Sequence, residues 1–385
     1  MRLLCLSADP GVPVLGHKGA SVHLREMVTA FAAAGAEVLV ASPRVRPEGD
    51  ELEASAELLE IAPVRAEECP SLPALRQAMT AQAQQVEQIA RAKSVDAVYE
   101  RLSLFGLSGV RTAQRLDVPH VLEVNAPLCD EARRFRTLPY PQEAFEVERR
   151  VCRETDHVFA NSEATTAHLV DAGVSPAKVA VVPNGVDVRK FTGRRRRRGS
   201  GVFRVGFLGS LNPWHGIDVL LEAFTHALAR RTDLRLEIVG AGPEANRLAE
   251  AALPADAFLS HGPLAHRTAI EVMSQWDVGV APFLPLLRFY FSPLKVVEYM
   301  AAGVCPVASD LGQIRTLLDR GKRGVLVEPG NAGALAGAIL GLASDRPAAS
   351  ELGARARAYA LRELTWQKNA ERALSALTAC KELAI

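Results

Sequence analysis

The feature that most constrains the fold of this chain is a regular alternation of short apolar segments with longer amphipathic ones. The first apolar segment is Arg2–Ser7, and a glycine-containing loop and a helical pattern follow it. The alternation begins again at Phe203–Leu208 and continues through most of the remaining sequence. Consecutive strand and helix patterns favour parallel sheets with helices on both faces. We therefore predict an α/β protein with two doubly wound, Rossmann-like domains facing a cleft, lined by loops at the carboxyl ends of the strands.

A basic segment separates the two sets of strands and helices. The five arginines Arg194–Arg198 precede Gly199-Ser-Gly, and this composition is typical of a solvated linker between domains. We predict an N-terminal domain over residues 1–192 and a C-terminal domain over residues 200–365. A weak peripheral contact of the arginines with an anionic membrane, at its inner face, stays open as an alternative.

Charge and cysteine content bear on the class of protein. The net charge of the 385-residue chain is +1, so no global field favours nucleic acid as a partner. The six cysteines are scattered without a Cys-x-x-Cys pair or the histidine spacing of a zinc site, which favours reduced thiols. The first apolar segment is too short for a signal peptide, and no apolar run has the length of a membrane span. The sequence thus predicts a cytoplasmic protein.

The segment Phe289–Ser309 combines the features of an anion site and a sugar site. Pro293 suits the start of a helix and Gly303 suits its C-terminal cap, before a short apolar strand pattern. The unpaired N–H groups and the dipole at the start of such a helix attract a phosphate. Glu298 lies about one turn further along, where a carboxylate accepts hydrogen bonds from sugar hydroxyls. We therefore expect this helix to bind a phosphate and a ribose together.

This segment resembles the donor-binding signature of family 4 glycosyltransferases, which are retaining enzymes of the GT-B fold. Their usual pattern is E-G-F-G-x-x-x-x-E, followed by A-x-A-x-G-x-P-V-V-A-S. Glu298 matches the second glutamate and AAGVCPVAS matches the tail, whereas Tyr290 stands where the first glutamate is usual. The resemblance implies donor contacts for Tyr290, Ser292, Leu294, Val297 and Glu298.

The resemblance extends over nearly the whole sequence. The segment from Lys18 to His23 matches the first loop of the family, G-G-x-x-x-H, with Lys18 in place of the first glycine, and this places Gly19 near the donor. We also expect the glycine turn at Gly240 to contact the nucleotide-sugar donor. The sequence TWQKNAERAL resembles the closing helix of the family, which implies that residues 366–385 pack back on the N-terminal domain. The N-terminal domain is then the acceptor side, and the C-terminal domain binds the nucleotide-sugar donor.

The phosphate site departs from the family pattern. Where the family has an arginine and a lysine in G-R-L-x-x-x-K-G, this chain has Ser210 and His215. A leaving diphosphate still needs a compensating positive charge. Lys295, in the first turn of the predicted donor helix, is the first candidate, and a protonated His215, Lys18 and Arg288 are the others.

A second departure lies on the acceptor side. The matching strand of the family usually ends in a histidine near the transferred sugar, and Asn125 takes this position. Asparagine can hydrogen-bond a hydroxyl but cannot act as a general acid or base, and a turn-forming role is an equal alternative. The catalytic candidates are therefore Asn125, Lys295 and His215, with Ser210 on the donor side. No Asp-x-Asp occurs, so we predict a metal-independent reaction without metal ligands and with no cofactor besides the nucleotide-sugar substrate.

Together these features predict a retaining glycosyltransferase that moves a hexose from a nucleotide diphosphate sugar to a hydroxyl of a glycan, lipid-linked or small-molecule acceptor. The segments YERLSLFGLSG and FSPLK resemble bacterial transferases of exopolysaccharide or glycoconjugate assembly, which favours a UDP-sugar. A non-catalytic nucleotide-sugar binding protein is one alternative, because several family residues are replaced. An NAD-linked enzyme is another, although neither glycine loop has G-x-G-x-x-G with an acidic residue at the usual distance.

Overall fold

The computed structural model describes residues 1–16, 18–46, 52, 54–191, 201–285, 289–290 and 292–382. The chain divides into two compact units, Met1–Pro183 with Trp366–Ile385, and Asn184–Thr365. The predicted linker at Arg194–Arg198 and the candidate cation Arg288 lie outside the described residues.

The first unit is built around a seven-stranded sheet. Its strands are β1 (Arg2–Ser7), β2 (Glu37–Ser42), β3 (Ala56–Glu60), β4 (Ala97–Arg101), β5 (His120–Val124), β6 (His157–Ala160) and β7 (Val179–Val181). They lie in the order β3-β2-β1-β4-β5-β6-β7, and neighbouring strands run parallel. The helices between them are α1 (Gly19–Ala33), α2 (Leu72–Ala92), α3 (Ser108–Leu116), α4 (Leu128–Phe135), α5 (Pro141–Glu154) and α6 (Glu163–Asp171).

The second unit repeats this plan with six strands. They are β8 (Phe203–Leu208), β9 (Leu234–Val239), β10 (Phe258–Gly262), β11 (Val278–Ala281), β12 (Cys305–Ser309) and β13 (Val325–Val327), in the parallel order β10-β9-β8-β11-β12-β13. The helices are α7 (Val188–Phe191), α8 (Ile217–Leu228), α9 (Asn246–Glu250), α10 (His266–Met273), α11 (Leu294–Ala302), α12 (Gly312–Leu317), α13 (Ala332–Ser344) and α14 (Arg346–Glu363). Two doubly wound parallel sheets of this kind confirm the predicted α/β fold class.

The strands form because their apolar runs are buried on both faces of each sheet. In β1, Leu3 and Leu4 are both 0% exposed although their side chains point to opposite faces. In β8, Phe203, Val205 and Phe207 are buried on one face, and Gly206 is buried on the other. Parallel sheets covered by helices on both faces require such continuous apolar strands, which is why the sequence pattern identifies them.

The second unit begins at Asn184, earlier than the predicted residue 200, and it ends at Thr365. Phe191 is 1% exposed, and its carbonyl oxygen accepts a hydrogen bond of 2.6 Å from Arg357 Nη2 of α14. The N–H of Val186 donates to the carbonyl oxygen of Leu364 at 2.9 Å. These contacts tie residues 184–191 to the second unit rather than to the first. The last helix, α15 (Trp366–Glu382), packs with α1 of the first unit.

Sheet topology locates the ligand-binding edge of each unit. The strand order reverses direction between β1 and β4 in the first sheet and between β8 and β11 in the second. Ligands of doubly wound folds bind beyond the carboxyl ends of the strands at this point. In the second unit, the loop that follows β8 and residues 282–285, directly after β11, lie at that edge.

Candidate functional site

Helix α11 is anchored so that its first turn is fixed beside the loop after β8. Its capping residue is Pro293, and it ends at Gly303, whose φ of 73° is the left-handed conformation that favours glycine. The Tyr299 hydroxyl accepts a hydrogen bond from the N–H of Leu208 at 2.9 Å and donates to the Val280 carbonyl oxygen at 3.2 Å. These bonds hold α11 against both β8 and β11 at the switch point of the sheet.

Lys295 places a buried amino group in this first turn. Its side chain is 8% exposed, and Nζ lies 4.0 Å from the ring centroid of Phe207 and 5.2 Å from that of Phe283. Among the described residues, Nζ has no hydrogen-bond partner. A Cβ built on Gly209 would lie 3.1 Å from Nζ, so the ammonium group points at the start of the loop after β8. Burial lowers the pKa of Lys295 to about 7, against the opposing effect of Glu298.

His215 is part of the same loop but carries no charge near neutral pH. Its Nδ1 contacts the carbonyl oxygen of Ser210, and because a carbonyl only accepts, Nδ1 carries the hydrogen. Burial and the nearby Lys295 ammonium lower the pKa of His215 to about 3. In the ligand-free protein the His215 ring is therefore neutral near pH 7 and its Nε2 is an acceptor, and the role of a protonated His215 as a phosphate cation stays a prediction. Ser210 Oγ accepts from Asn212 Nδ2 at 3.0 Å.

Glu298 lies one turn beyond Lys295 and is held by a residue that sequence reasoning missed. Its side chain is 6% exposed, and Oε1 lies 2.6 Å from His266 Nε2 at the start of α10. The two residues are 32 positions apart in the chain, and no motif links them. The structure thus brings together Lys295, Glu298 and His266 as the polar side chains around this end of α11.

Three predicted donor contacts have structural explanations of their own. Val297 is 0% exposed, and its N–H bonds the Pro293 carbonyl oxygen at 3.4 Å, so a side-chain contact with a ligand is excluded. Ser292 Oγ accepts from the N–H of Asn184 at 3.0 Å and is thereby engaged within the protein. Gly240 has a φ of 144°, and a Cβ there would lie 1.9 Å from the Gly209 carbonyl oxygen, so loop packing requires glycine.

The remaining predicted donor contacts differ in exposure. Tyr290 is 8% exposed, and Leu294 is half-buried as the first residue of α11. Gly19 is exposed as the first residue of α1, and a Cβ there would meet no described atom within 4 Å. The structure of the protein alone therefore does not require glycine at position 19.

Asn125 belongs to a polar group at the carboxyl edge of the first sheet. His23 of α1 contacts Glu123, whose Oε2 lies 3.8 Å from Arg101 Nη1. Although burial acts to raise it, His23 and Arg101 hold the pKa of Glu123 below its usual value, with a contribution from the Asn125 side chain. The His23 and Trp366 rings meet edge to face at 4.6 Å between centroids. His23 is therefore a buried histidine that packs between Glu123 and Trp366. Asn125 brings no transferable proton to this edge of the sheet.

Comparison with known proteins identifies the family. A model described as Glycosyltransferase Family 4 matches residues 17–190, and one described as Glycosyl transferases group 1 matches residues 202–345. A D-inositol 3-phosphate glycosyltransferase of Geodermatophilus obscurus is 31% identical over 312 residues, which cover 74% of this chain and 67% of that protein. The chain belongs to glycosyltransferase family 4. A glycogen synthase of Mycobacterium tuberculosis is 24% identical over 390 residues, covering 95% of this chain and 92% of that one.

Solved structures show the GT-B fold for this family 4 glycosyltransferase. Anabaena Alr3699/HepE in complex with UDP and glucose matches 98% of this chain and 100% of its own, with a TM-score of 0.73 and 19% identity. Sucrose-phosphate synthase from Thermosynechococcus elongatus matches 100% of both chains, with a TM-score of 0.75 and 19% identity. The predicted family and fold are confirmed, and the enzyme is a glycosyltransferase of the GT-B type.

Metal-binding side-chain clusters and membrane-spanning helices are two further features that bear on this glycosyltransferase. In the described part of the chain, no group of three or more histidine, cysteine, aspartate or glutamate side chains is arranged to hold a metal ion. None of the described helices has the combination of length and apolar character that crossing a membrane requires.

Proposed function

We propose that this glycosyltransferase transfers a hexose from a UDP-sugar to an acceptor hydroxyl with retention of anomeric configuration, and that Lys295 stabilises the leaving diphosphate. The diphosphate then lies between the start of α11 and the loop after β8, and the Glu298 carboxylate accepts hydrogen bonds from the ribose. The second unit is the donor side, and the first unit, with Asn125 at its sheet edge, is the acceptor side.

The observation that carries the proposal is the buried, unbonded ammonium group of Lys295. A buried ammonium without a hydrogen-bond partner among the described residues is costly, and an incoming anion removes that cost. The two aromatic faces beside Nζ exclude water, and this strengthens its attraction to a phosphate. Lys295 thus supplies the charge that Ser210 and the neutral His215 lack.

The relatives support the identity of the substrates. The Anabaena structure holds UDP and glucose, which supports a UDP-hexose donor. Related enzymes are named for D-inositol 3-phosphate, phosphatidyl-myo-inositol and glycogen, which supports a small-molecule, lipid-linked or glycan acceptor hydroxyl.

The resemblance to the retaining enzymes of family 4 supports retention of the anomeric configuration. Because Lys295 replaces the charge that a metal would bring, we propose a metal-independent reaction with no cofactor. The scattered cysteines, without a Cys-x-x-Cys pair, support a cytoplasmic enzyme.

The decisive experiment measures release of the nucleoside diphosphate. The purified enzyme is incubated with UDP-, GDP- and ADP-hexoses, with and without polyol and glycan acceptors, and the anomeric configuration of any product is read by NMR. We expect turnover with a UDP-hexose and an axial or equatorial linkage that matches the donor. Lys295→Met should abolish turnover, while Lys322→Met, at an exposed lysine of the same unit, should not. Turnover that prefers another base, or an inverted product, would contradict the proposal.

Replacement of the family histidine by Asn125 favours one second candidate, a nucleotide-sugar binding protein without catalysis. The same assay separates the two functions. Binding of a UDP-sugar by calorimetry without release of UDP, under any acceptor condition, would favour the binding protein over the enzyme.

A further inference from the structure

Glu298 and His266 form a hydrogen bond inside the proposed nucleotide site. The Glu298 side chain is 6% exposed, and its Oε1 lies 2.6 Å from Nε2 of His266. The histidine side chain is itself only 16% exposed, so the hydrogen bond is largely shielded from water. An ionised carboxylate only accepts hydrogen bonds, so the Nε2 of His266 is the donor.

The contact fixes which oxygen of Glu298 a ligand meets. Rotation about the bonds of a glutamate side chain is otherwise limited only by packing, and a charge-assisted hydrogen bond selects one rotamer. With Oε1 engaged by His266, Oε2 is the oxygen that is left for a ligand. A carboxylate oxygen has two lone pairs, so it accepts from two neighbouring hydroxyls, as the 2′ and 3′ positions of a ribose present them.

The spacing on α11 separates the two tasks of the helix. Lys295 and Glu298 are three residues apart, which corresponds to about 4.5 Å along a helix axis. The ammonium group of Lys295 points at Gly209, whereas Glu298 is turned to α10. In the proposed site, the ribose of a nucleotide therefore binds next to α10, and its diphosphate binds next to the loop after β8.

We propose that His266 is a positioning residue for nucleoside recognition: it holds the Glu298 carboxylate in the rotamer that accepts the two ribose hydroxyls. The inference rests on the proposed function, because it requires a nucleoside diphosphate in this site. His266 acts through Glu298, and its effect on affinity depends on the presence of the ribose hydroxyls.

The test compares UDP with 2′,3′-dideoxy-UDP by isothermal titration calorimetry. For His266→Ala we expect an affinity for UDP about tenfold below that of the wild type, the usual effect of losing the order imposed by one charge-assisted hydrogen bond. The affinity for the dideoxy nucleotide should be the same in His266→Ala and in the wild type. His266→Gln should restore most of the affinity for UDP, because the glutamine amide nitrogen reaches the place of Nε2. His226→Ala, at an exposed histidine of α8, is the matched control and should leave both affinities unchanged. Thermal unfolding of each variant verifies that it is folded.

The outcomes separate the positioning role of His266 from the assignment of the donor site and from the proposed function. An equal loss of affinity for both nucleotides in His266→Ala, or no loss for either, overturns the positioning role and leaves the donor assignment standing. If His266→Ala fails to fold, His266→Gln decides: a ribose-independent loss in that variant also overturns the inference. If the wild-type enzyme binds ADP or GDP in place of UDP, the matching dideoxy nucleotide is used, and only the base assignment changes. If no nucleoside diphosphate binds, the proposed function and this inference both fail.

Discussion

Nucleotide binding should load a proton onto Lys295. In the empty protein, burial lowers the pKa of this ammonium group to about 7. At pH 8 only ~0.1 of the molecules then carry the proton, and a bound diphosphate next to Nζ returns the pKa to its ordinary range or above. UDP binding at pH 8 should therefore take up ~0.9 protons, since the second ionisation of a terminal phosphate near pH 6 is already complete. The described groups that face Nζ and titrate are Glu298 on α11 and His215 on the loop after β8.

The sign of the pH effect on affinity follows from the same pKa. The protonated form binds the anion, and its population falls tenfold per pH unit above about 7, so the dissociation constant for UDP should rise by about tenfold per unit between pH 8 and pH 10. Below pH 6.5 the group is mostly charged before binding, and this dependence should disappear.

Calorimetry in two buffers of different ionisation enthalpy measures the proton uptake directly. Lys295→Arg is the informative variant, because a guanidinium group stays charged when buried: it should bind UDP with no proton uptake and no loss of affinity up to pH 10. Uptake near zero in the wild type at pH 8, or unchanged uptake in Lys295→Arg, would refute the assignment of the phosphate charge to Lys295. His215 cannot produce the same signal, because its pKa of about 3 is far below the pH of the experiment.

Three further predictions concern the same helix. Lys295→Met should raise the melting temperature of the ligand-free protein more at pH 6 than at pH 10, since the buried ammonium costs about 1.4 kcal/mol per pH unit between its unfolded and folded pKa values; an equal shift at both pH values would contradict the burial of a charge. Glu298→Gln should weaken UDP binding in calorimetry by about tenfold while thermal unfolding stays cooperative, because the amide oxygen is a weaker acceptor for the ribose hydroxyls; unchanged affinity would remove Glu298 from the site. Turnover should persist in excess EDTA because Lys295 supplies the charge compensation, and loss of turnover on chelation that manganese or magnesium restores would show that a metal is required.

The fold could be predicted from the sequence because it depends on local patterns that repeat. Continuous apolar strands such as β1 and β8 and the glycine cap at Gly303 carry their own signal, since each follows from the conformation or burial of a few adjacent residues. The placement of Lys295 and Glu298 on one helix could be predicted for the same reason, and their roles toward a ligand stay predictions.

The parts of the site that the sequence did not predict depend on contacts between distant segments. His266 reaches Glu298 across 32 residues, and nothing within its own helix marks it. The neutral state of His215 in the ligand-free protein could not be predicted, because it is set by the rings and the Lys295 side chain packed around it, which belong to β8, α11 and the residues after β11. Val297 matched the spacing of a ligand contact, yet the helix turns this position into the core.

The replaced clamp changes when the donor site is charged, not only which residue charges it. In the usual pattern, an arginine and a lysine on the loop after the first strand of the donor domain are expected to be ionised whether or not a nucleotide is present. Here that loop carries Ser210 and a neutral His215, and in the proposed site the cation is Lys295, a buried residue of α11 whose pKa is about 7. Such a site has little positive charge above neutral pH until an anion enters, so it attracts phosphates weakly from a distance and strongly on contact. We therefore expect selection for a ligand that also engages Glu298 through its ribose, and inorganic pyrophosphate at pH 8 should compete poorly with UDP in calorimetric displacement. Competition by pyrophosphate at concentrations similar to those of UDP would show that the ribose contacts of Glu298 add little to the affinity, and would contradict the expected selection.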